Sequence, residues 1–131
     1  MSTIWPDIRY FRSKEFDSPD SPGSGMRMNL AFVQKLDKLR EAVKMPLIIN
    51  SGYRTPKHND GLKDSVDGSA HTTGHAADIR ALNSATKYKI VEAAFRLGFR
   101  RIGIGKTFVH LDDSITHPQD VIWLYPATRS A

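Results

Sequence analysis

The chain contains no cysteine. That excludes disulfides, thiolate catalysis and any cysteine-ligated metal, so a metal site here has to be built from histidine and carboxylate. No stretch approaches the roughly 20 apolar residues of a membrane-spanning helix. The opening MSTIWPDIRYF is neither basic enough nor apolar enough for a secretory signal peptide, so export is expected by another route. Basic residues outnumber acidic ones, 19 to 14, with a calculated pI of about 9.6, yet nowhere do they run longer than two. There is no basic stripe, no aromatic-basic interleaving and no nucleic-acid motif, so no nucleic-acid partner is expected. The excess charge is scattered and reads as a solvated surface.

What is present is enough for one compact domain. The 131 residues are 40% hydrophobic, which supports a core, and a single domain over residues 1–131 is expected, as a monomer. Trp5, Tyr10, Phe11 and Phe16 sit in an irregular arm across that core. DSPDSPGSG at 17–25 is either an ordered turn or a flexible loop. Asn29 is placed to cap a helix whose inner face carries Phe32, Val33, Leu36, Leu39 and Val43. LIIN at 47–50 reads as a short buried strand, and SGYRTPKHNDG at 51–61 as turn-rich chain. A long loop follows, bent at Gly61 and Gly68. It carries Asp60, Asp64 and Asp67, whose spacing is not that of an EF-hand and which read as solvated.

A second helix is expected from about Ser84 to Leu97, with Tyr88, Val91, Ala94 and Phe95 inward and Gly98 as its stop. RIGI at 101–104 and TFVHLD at 107–112 read as a hairpin turned at Gly105-Lys106, and VIWLY at 121–125 as a last strand. The order of elements points to an α+β fold, a small antiparallel sheet packed with helices.

Two stretches carry chemistry. SAHTTGHAAD at 69–78 supplies a histidine and an aspartate seven residues apart, and FVHLDD at 108–113 supplies a histidine with an aspartate two residues on. Alternation puts Phe108, His110 and Asp112 on one side of that strand, with Val109 and Leu111 toward the core. His71, Asp78 and His110 together make a two-histidine, one-carboxylate set. Three protein ligands of this kind leave zinc a fourth position for water. His71 and His75 lie four apart, but Thr72 stands where a zincin helix needs its glutamate and Gly74 interrupts the helix, so His75 reads as a surface or supporting residue. Asp78 has an ordinary alternative, a strand-end carboxylate paired with Arg80.

SAHTTGHAAD matches S-x-H-x-x-G-x-A-x-D, and SGYR at 51–54 and FVHLD at 108–112 stand in order around it. In these blocks the sequence resembles the zinc D-Ala-D-Ala peptidases of family M15, over roughly residues 10–113. YFRSKEFDSPDSPGSGMRM and the HN at 58–59 look like its phage and prophage branch. The resemblance implies the small α+β fold shared with the hedgehog signalling domain, zinc as cofactor, and His71, Asp78 and His110 as ligands. It implies that Arg54 stabilises charge on the scissile carbonyl and that Ser69 lies near the substrate's terminal groups. The implied partner is the peptidoglycan stem peptide and the implied activity its cleavage, as carboxypeptidase or endopeptidase. The setting would be a lysis or virion-associated enzyme made in the host cytoplasm. Relatives place an acidic residue three positions before the last ligand, where this chain has Thr107. Asp112, on the ligand face, is the first candidate for the general base; its rival role is to fix a ligand histidine, and His117 is a further candidate. A non-catalytic zinc-binding module is the alternative reading.

Overall fold

The structure, a computed structural model, describes residues 5–62 and 69–127. Its elements follow from local sequence. Helix α1 (Leu30–Val43) starts where the Asn29 side chain accepts a hydrogen bond from the Phe32 amide. It buries Phe32, Val33, Leu36 and Leu39 completely, each contributing about 1.5–3 kcal/mol of transfer free energy. Helix α2 (Pro56–Asp60) occupies the stretch read as turn-rich. Thr55 caps it and Pro56 fills its first turn, where a missing N–H costs nothing. Helix α3 (Ser84–Arg96), capped by Asn83, ends before Gly98, which adopts φ +86°.

Five strands form one sheet in the order β1-β2-β4-β3-β5: β1 (Ile49–Ser51), β2 (Ala76–Arg80), β3 (Arg101–Ile104), β4 (Phe108–Asp112) and β5 (Val121–Leu124). Three pairings are antiparallel and the β3–β5 pairing is parallel. The exception has a simple cause. The chain leaves β4 at the end where β3 begins and crosses that end through residues 113–120, so β5 starts level with Arg101 and runs alongside β3. β4 lies between two strands, and all five of its residues are buried.

Val109, Leu111, Ile79, Ala77 and Ile102 face the helices and join the core with Phe32, Leu36, Ile90 and Ala94. The N-terminal arm completes it: Trp5, Phe11 and Phe16 are buried, with the Trp5 and Phe11 rings meeting Phe16 in a tilted and an edge-on contact. The 17–25 stretch is an ordered turn, with Asp17 accepting from the Gly23 and Gly25 amides.

Three expectations need correction. The strand predicted at 47–50 is displaced to Ile49–Ser51 at the sheet edge, where Ile48 is exposed rather than buried. The predicted inner stripe of α3 is rotated. Tyr88 and Phe95 are 71% and 55% exposed. Ala94 is buried and Val91 packs against the core as expected, but Ile90 and Ala93 complete the inner face in place of the two aromatics; two adjacent stripes satisfy the helical period. Third, the hairpin turn spans Gly105 to Phe108, closed by the Gly105 amide on the Phe108 carbonyl. Asp64, Asp67 and the Gly68 bend lie outside the described residues. Asp60 ends α2 at the surface. No helix among the described residues is long and apolar enough to cross a membrane.

Candidate metal centre

The sheet face away from the helices carries polar groups. Asp78 on β2 stands directly opposite His110 on β4 in the antiparallel register, and Ser51 on β1 lies beside Asp78. Directly opposed residues hold their side chains within contact distance. Their neighbours in sequence, Ala77, Ile79, Val109 and Leu111, point the other way into the core, so the pleat that buries the core also converges the polar pair.

His71 arrives from outside the sheet, on a 3-10 turn at Ala70–Thr73 whose Ser69 side chain accepts from the His71 amide at 3.2 Å. Gly74 then reverses the chain at φ +79°. A Cβ there would stand 2.5 Å from the Arg27 carbonyl oxygen, so glycine is needed for both the turn and the close approach. The Arg54 amide bonds the His71 carbonyl and the His71 ring bonds the Gly52 carbonyl, which locks the SGYR segment to this turn.

Ligand atoms of His71, Asp78 and His110 all lie within 4.8 Å of one another, and all three residues are buried. Because a carbonyl only accepts, His71 Nδ1 carries the proton in its 2.7 Å bond to Gly52. Burial lowers the His71 pKa below the ordinary imidazole value, so the ring is neutral. Its unprotonated Nε2 therefore faces Asp78 Oδ2 at 3.4 Å. Two electron-pair donors facing each other at that distance is an arrangement that a shared cation resolves, and the donor set suits zinc.

His110 bridges two carboxylates, Nδ1 to Asp78 Oδ1 at 2.9 Å and Nε2 to Asp112 Oδ2 at 2.7 Å. Burial opposes charge on this ring, but the bonds to Asp112 and Asp78 outweigh it and raise its pKa. Arg54, 2% exposed, donates to Asp78 Oδ2 at 3.2 Å, to Asn59 on α2 at 3.3 Å and to Ser51 at 3.1 Å. Asp78 thus pairs with Arg54 and the two histidines, and Arg80, its expected ordinary partner, is exposed.

Asp112 is held on every side. Oδ1 accepts from Arg101 Nε at 2.6 Å and from the Ser114 amide at 3.1 Å, while Oδ2 meets His110. His75 pairs with Asp113 at 2.7 Å, outside the three-residue cluster. Thr107 is exposed at the hairpin tip, its carbonyl taken by the Ala81 amide. A cavity of about 290 Å³ opens beside the cluster, lined by Ser69, Ala70, Arg101, His117, Trp123 and Tyr125 together with His110 and Asp112. Asn59, Arg101, Trp123 and Tyr125 were not among the sequence candidates. Alternation in RIGI and VIWLY groups Arg101 with Gly103 and Trp123 with Tyr125, but only the register brings those pairs to His110.

The cluster makes the metal-free protein acid-sensitive. Burial favours neutral acids at both Asp78 and Asp112. His71 and His110 outweigh it at Asp78, and His110 and Arg101 at Asp112, so both pKa values are lowered. On acidification the unfolded chain takes up these protons before the folded one does. The stability the two carboxylates contribute is therefore complete above about pH 4 and lost as pH falls through their lower folded values. Thermal unfolding of chelator-treated protein should show a melting temperature that declines below about pH 4; a flat profile there would contradict the ionised cluster.

A family model described as Peptidase M15 matches residues 11–112, most of the chain. No curated protein matches the chain.

Proposed function

From the premise that this chain belongs to the peptidase M15 family, a zinc-dependent family whose metal the His71, Asp78 and His110 cluster can hold, we propose a peptidoglycan hydrolase. It cleaves peptide bonds of the stem peptide that involve D-amino acids, as a single catalytic domain acting as a monomer in phage or prophage lysis or in a virion. The observation that carries this reading is the buried cluster with its neutral His71 Nε2 turned onto Asp78, set at the wall of an open cleft.

Zinc, when bound, supplies a Lewis-acidic centre that polarises the peptide carbonyl and a lowered pKa for the attacking water. The remaining work falls to side chains. Gly52 and Asp112 fix the tautomers and orientations of His71 and His110 from behind, the arrangement that tunes metal-ligating histidines. Arg54 holds Asp78, and its guanidinium supplies a permanent positive charge for the oxyanion that develops on the carbonyl. Ser69 stands on the cleft wall where the terminal groups of a bound peptide would meet it.

Of the two roles open to Asp112, its contacts support one. All its oxygen contacts are already made to protein groups, which supports the orienting role. His117 also lines the cleft outside the metal set, with Nδ1 held by the Ser114 hydroxyl at 2.7 Å. Asp112→Asn is expected to weaken zinc binding about 10–100-fold, with turnover restored at saturating zinc. His117→Ala should lower kcat at unchanged zinc affinity. Unchanged zinc affinity in Asp112→Asn, with turnover lost, would return the base role to Asp112.

The function itself is tested by incubating purified peptidoglycan with the protein and following released amines and fragments by mass spectrometry, with and without chelator. Chelator-sensitive release is expected, and fragment masses name the bond. Intact wall in the presence of zinc-loaded protein would overturn the hydrolase reading in favour of a non-catalytic zinc module.

A further inference from the structure

Arg54 is held from three elements at once. Nε donates to Ser51 on β1 at 3.1 Å, Nη2 to Asp78 on β2 at 3.2 Å and Nη1 to Asn59 on α2 at 3.3 Å. Ser51 and Asp78 stand side by side in the sheet, so one strand pairing places both. The backbone beneath is fixed as well, with the Arg54 amide on the His71 carbonyl at 3.1 Å and the Tyr53 amide on the Phe16 carbonyl at 2.9 Å. Asn59 comes from outside the sheet and is buried. Because a guanidinium only donates, the atom that Asn59 turns to Nη1 is its carbonyl Oδ1. An aspartate in this place would bring a second carboxylate to the cation that Asp78 already pairs with; asparagine accepts the bond and adds no charge.

The five residues of α2 are too few to keep a helix in place by themselves. Its position is set by the ordered turn at 17–25. The Thr55 amide donates to the Ser18 hydroxyl at 3.2 Å, and the Thr55 hydroxyl donates to Asp20 Oδ2 at 2.7 Å while accepting from the His58 amide at 3.1 Å. Ser18 in turn donates to the other oxygen of Asp20. From this anchor one helical turn, closed by the Asn59 amide on the Thr55 carbonyl at 2.9 Å, returns the Asn59 side chain to Arg54, five residues earlier. The sheet fixes one edge of the guanidinium, and Asn59 fixes the remaining nitrogen.

We propose that Asn59 is the positioning residue for Arg54: as a neutral acceptor on Nη1, it holds the guanidinium in the one orientation from which its charge meets the reacting carbonyl. The catalytic use of that orientation rests on the peptidase reading; the hold itself does not. Asn59 acts through Arg54 and touches no substrate, so its effect on rate should disappear when Arg54 is gone.

The test uses the full zinc-loaded chain and two readouts. Side-chain NMR of the Arg54 guanidinium reads the hold directly. Nη1 and Nη2 should give separate resonances in wild type, because exchanging them breaks the bonds to Asn59 and Asp78 together. Exchange should be faster in Asn59→Leu, which keeps the size of the side chain and removes the acceptor, and slow again in Asn59→Asp, which restores an acceptor at the same reach. Fragment release from purified peptidoglycan reads the consequence. Asn59→Leu should lower the maximal rate by up to about 100-fold at unchanged zinc stoichiometry, and should cost nothing further in the Arg54→Met background. Thermal unfolding checks that the variants are folded; if Asn59→Leu is not, Asn59→Ser, whose hydroxyl falls short of Nη1, carries both readouts. Exchange as slow in Asn59→Leu as in wild type, or fast in Asn59→Asp as well, would overturn the proposal. So would a wild-type rate in Asn59→Leu, or an equal loss of rate with and without Arg54. Slow exchange in wild type that Asn59→Leu releases, with the wall left intact by every form, would sink the peptidase reading and leave the hold standing.

Discussion

Asp78→Ala is expected to abolish zinc binding and peptide hydrolysis together, and to destabilise the metal-free protein by about 3–5 kcal/mol. The two losses have different origins. Metal is lost because Asp78 is the one carboxylate in the cluster and lies between the two histidines, 3.4 Å from His71 and 2.9 Å from His110. Stability is lost because Arg54 is left behind. Its guanidinium is 2% exposed, and a buried cation that loses its anion bears a desolvation cost that hydrogen bonds to the neutral Asn59 and Ser51 side chains offset only in part. Urea unfolding of chelator-treated wild type and variant measures the second effect without the first, and zinc stoichiometry measures the first. A variant that keeps stoichiometric zinc would remove Asp78 from the ligand set. A metal-free variant as stable as wild type would mean that Arg54 finds another partner.

Arg54 is the residue on which the second large effect depends. Arg54→Met is expected to lower kcat about 100–1,000-fold, the usual consequence of removing one group that stabilises a developing oxyanion, with zinc retained and KM little changed. The structure also supports a holding role, since the same guanidinium spans Asp78, Asn59 and Ser51. Arg54→Lys separates the two. Lysine restores the charge but cannot bridge three partners, because its ammonium is a point donor rather than a planar fork. Partial recovery of kcat in Arg54→Lys relative to Arg54→Met marks charge as the contribution that matters. Weakened zinc binding in both variants, with full turnover at saturating zinc, would confine Arg54 to holding the carboxylate.

The zinc cluster was legible because residue types and spacing carry chemistry without coordinates. Histidine and aspartate are what a cysteine-free chain has for zinc, and alternation in FVHLD already separated His110 and Asp112 from Val109 and Leu111. Helix α1 was legible for a similar reason: its cap and its apolar face are both local. Helix α3 shows where locality fails. Tyr88, Val91, Ala94 and Phe95 fit the helical period as well as Ile90, Ala93 and Ala94 do; the helix keeps Ala94 and Val91 inward but turns Tyr88 and Phe95 to solvent, a choice that belongs to whatever it packs against. The same holds for Arg54, whose place in the sequence says nothing of Asn59 or Asp78.

From the sequence by itself came the α+β class, the metal-ligand set and the family, since each depends on residue identity, order or short-range periodicity. Tertiary structure alone decided that Arg54 grips Asp78, that Asp112 is held between His110 and Arg101, and that Trp123 and Tyr125 stand over Gly103 at the cleft. These depend on strand register and on the parallel turn of β5, which pair residues 11 to 24 positions apart. Register is set by the sum of many weak contacts across the sheet, and no single stretch of chain encodes that sum.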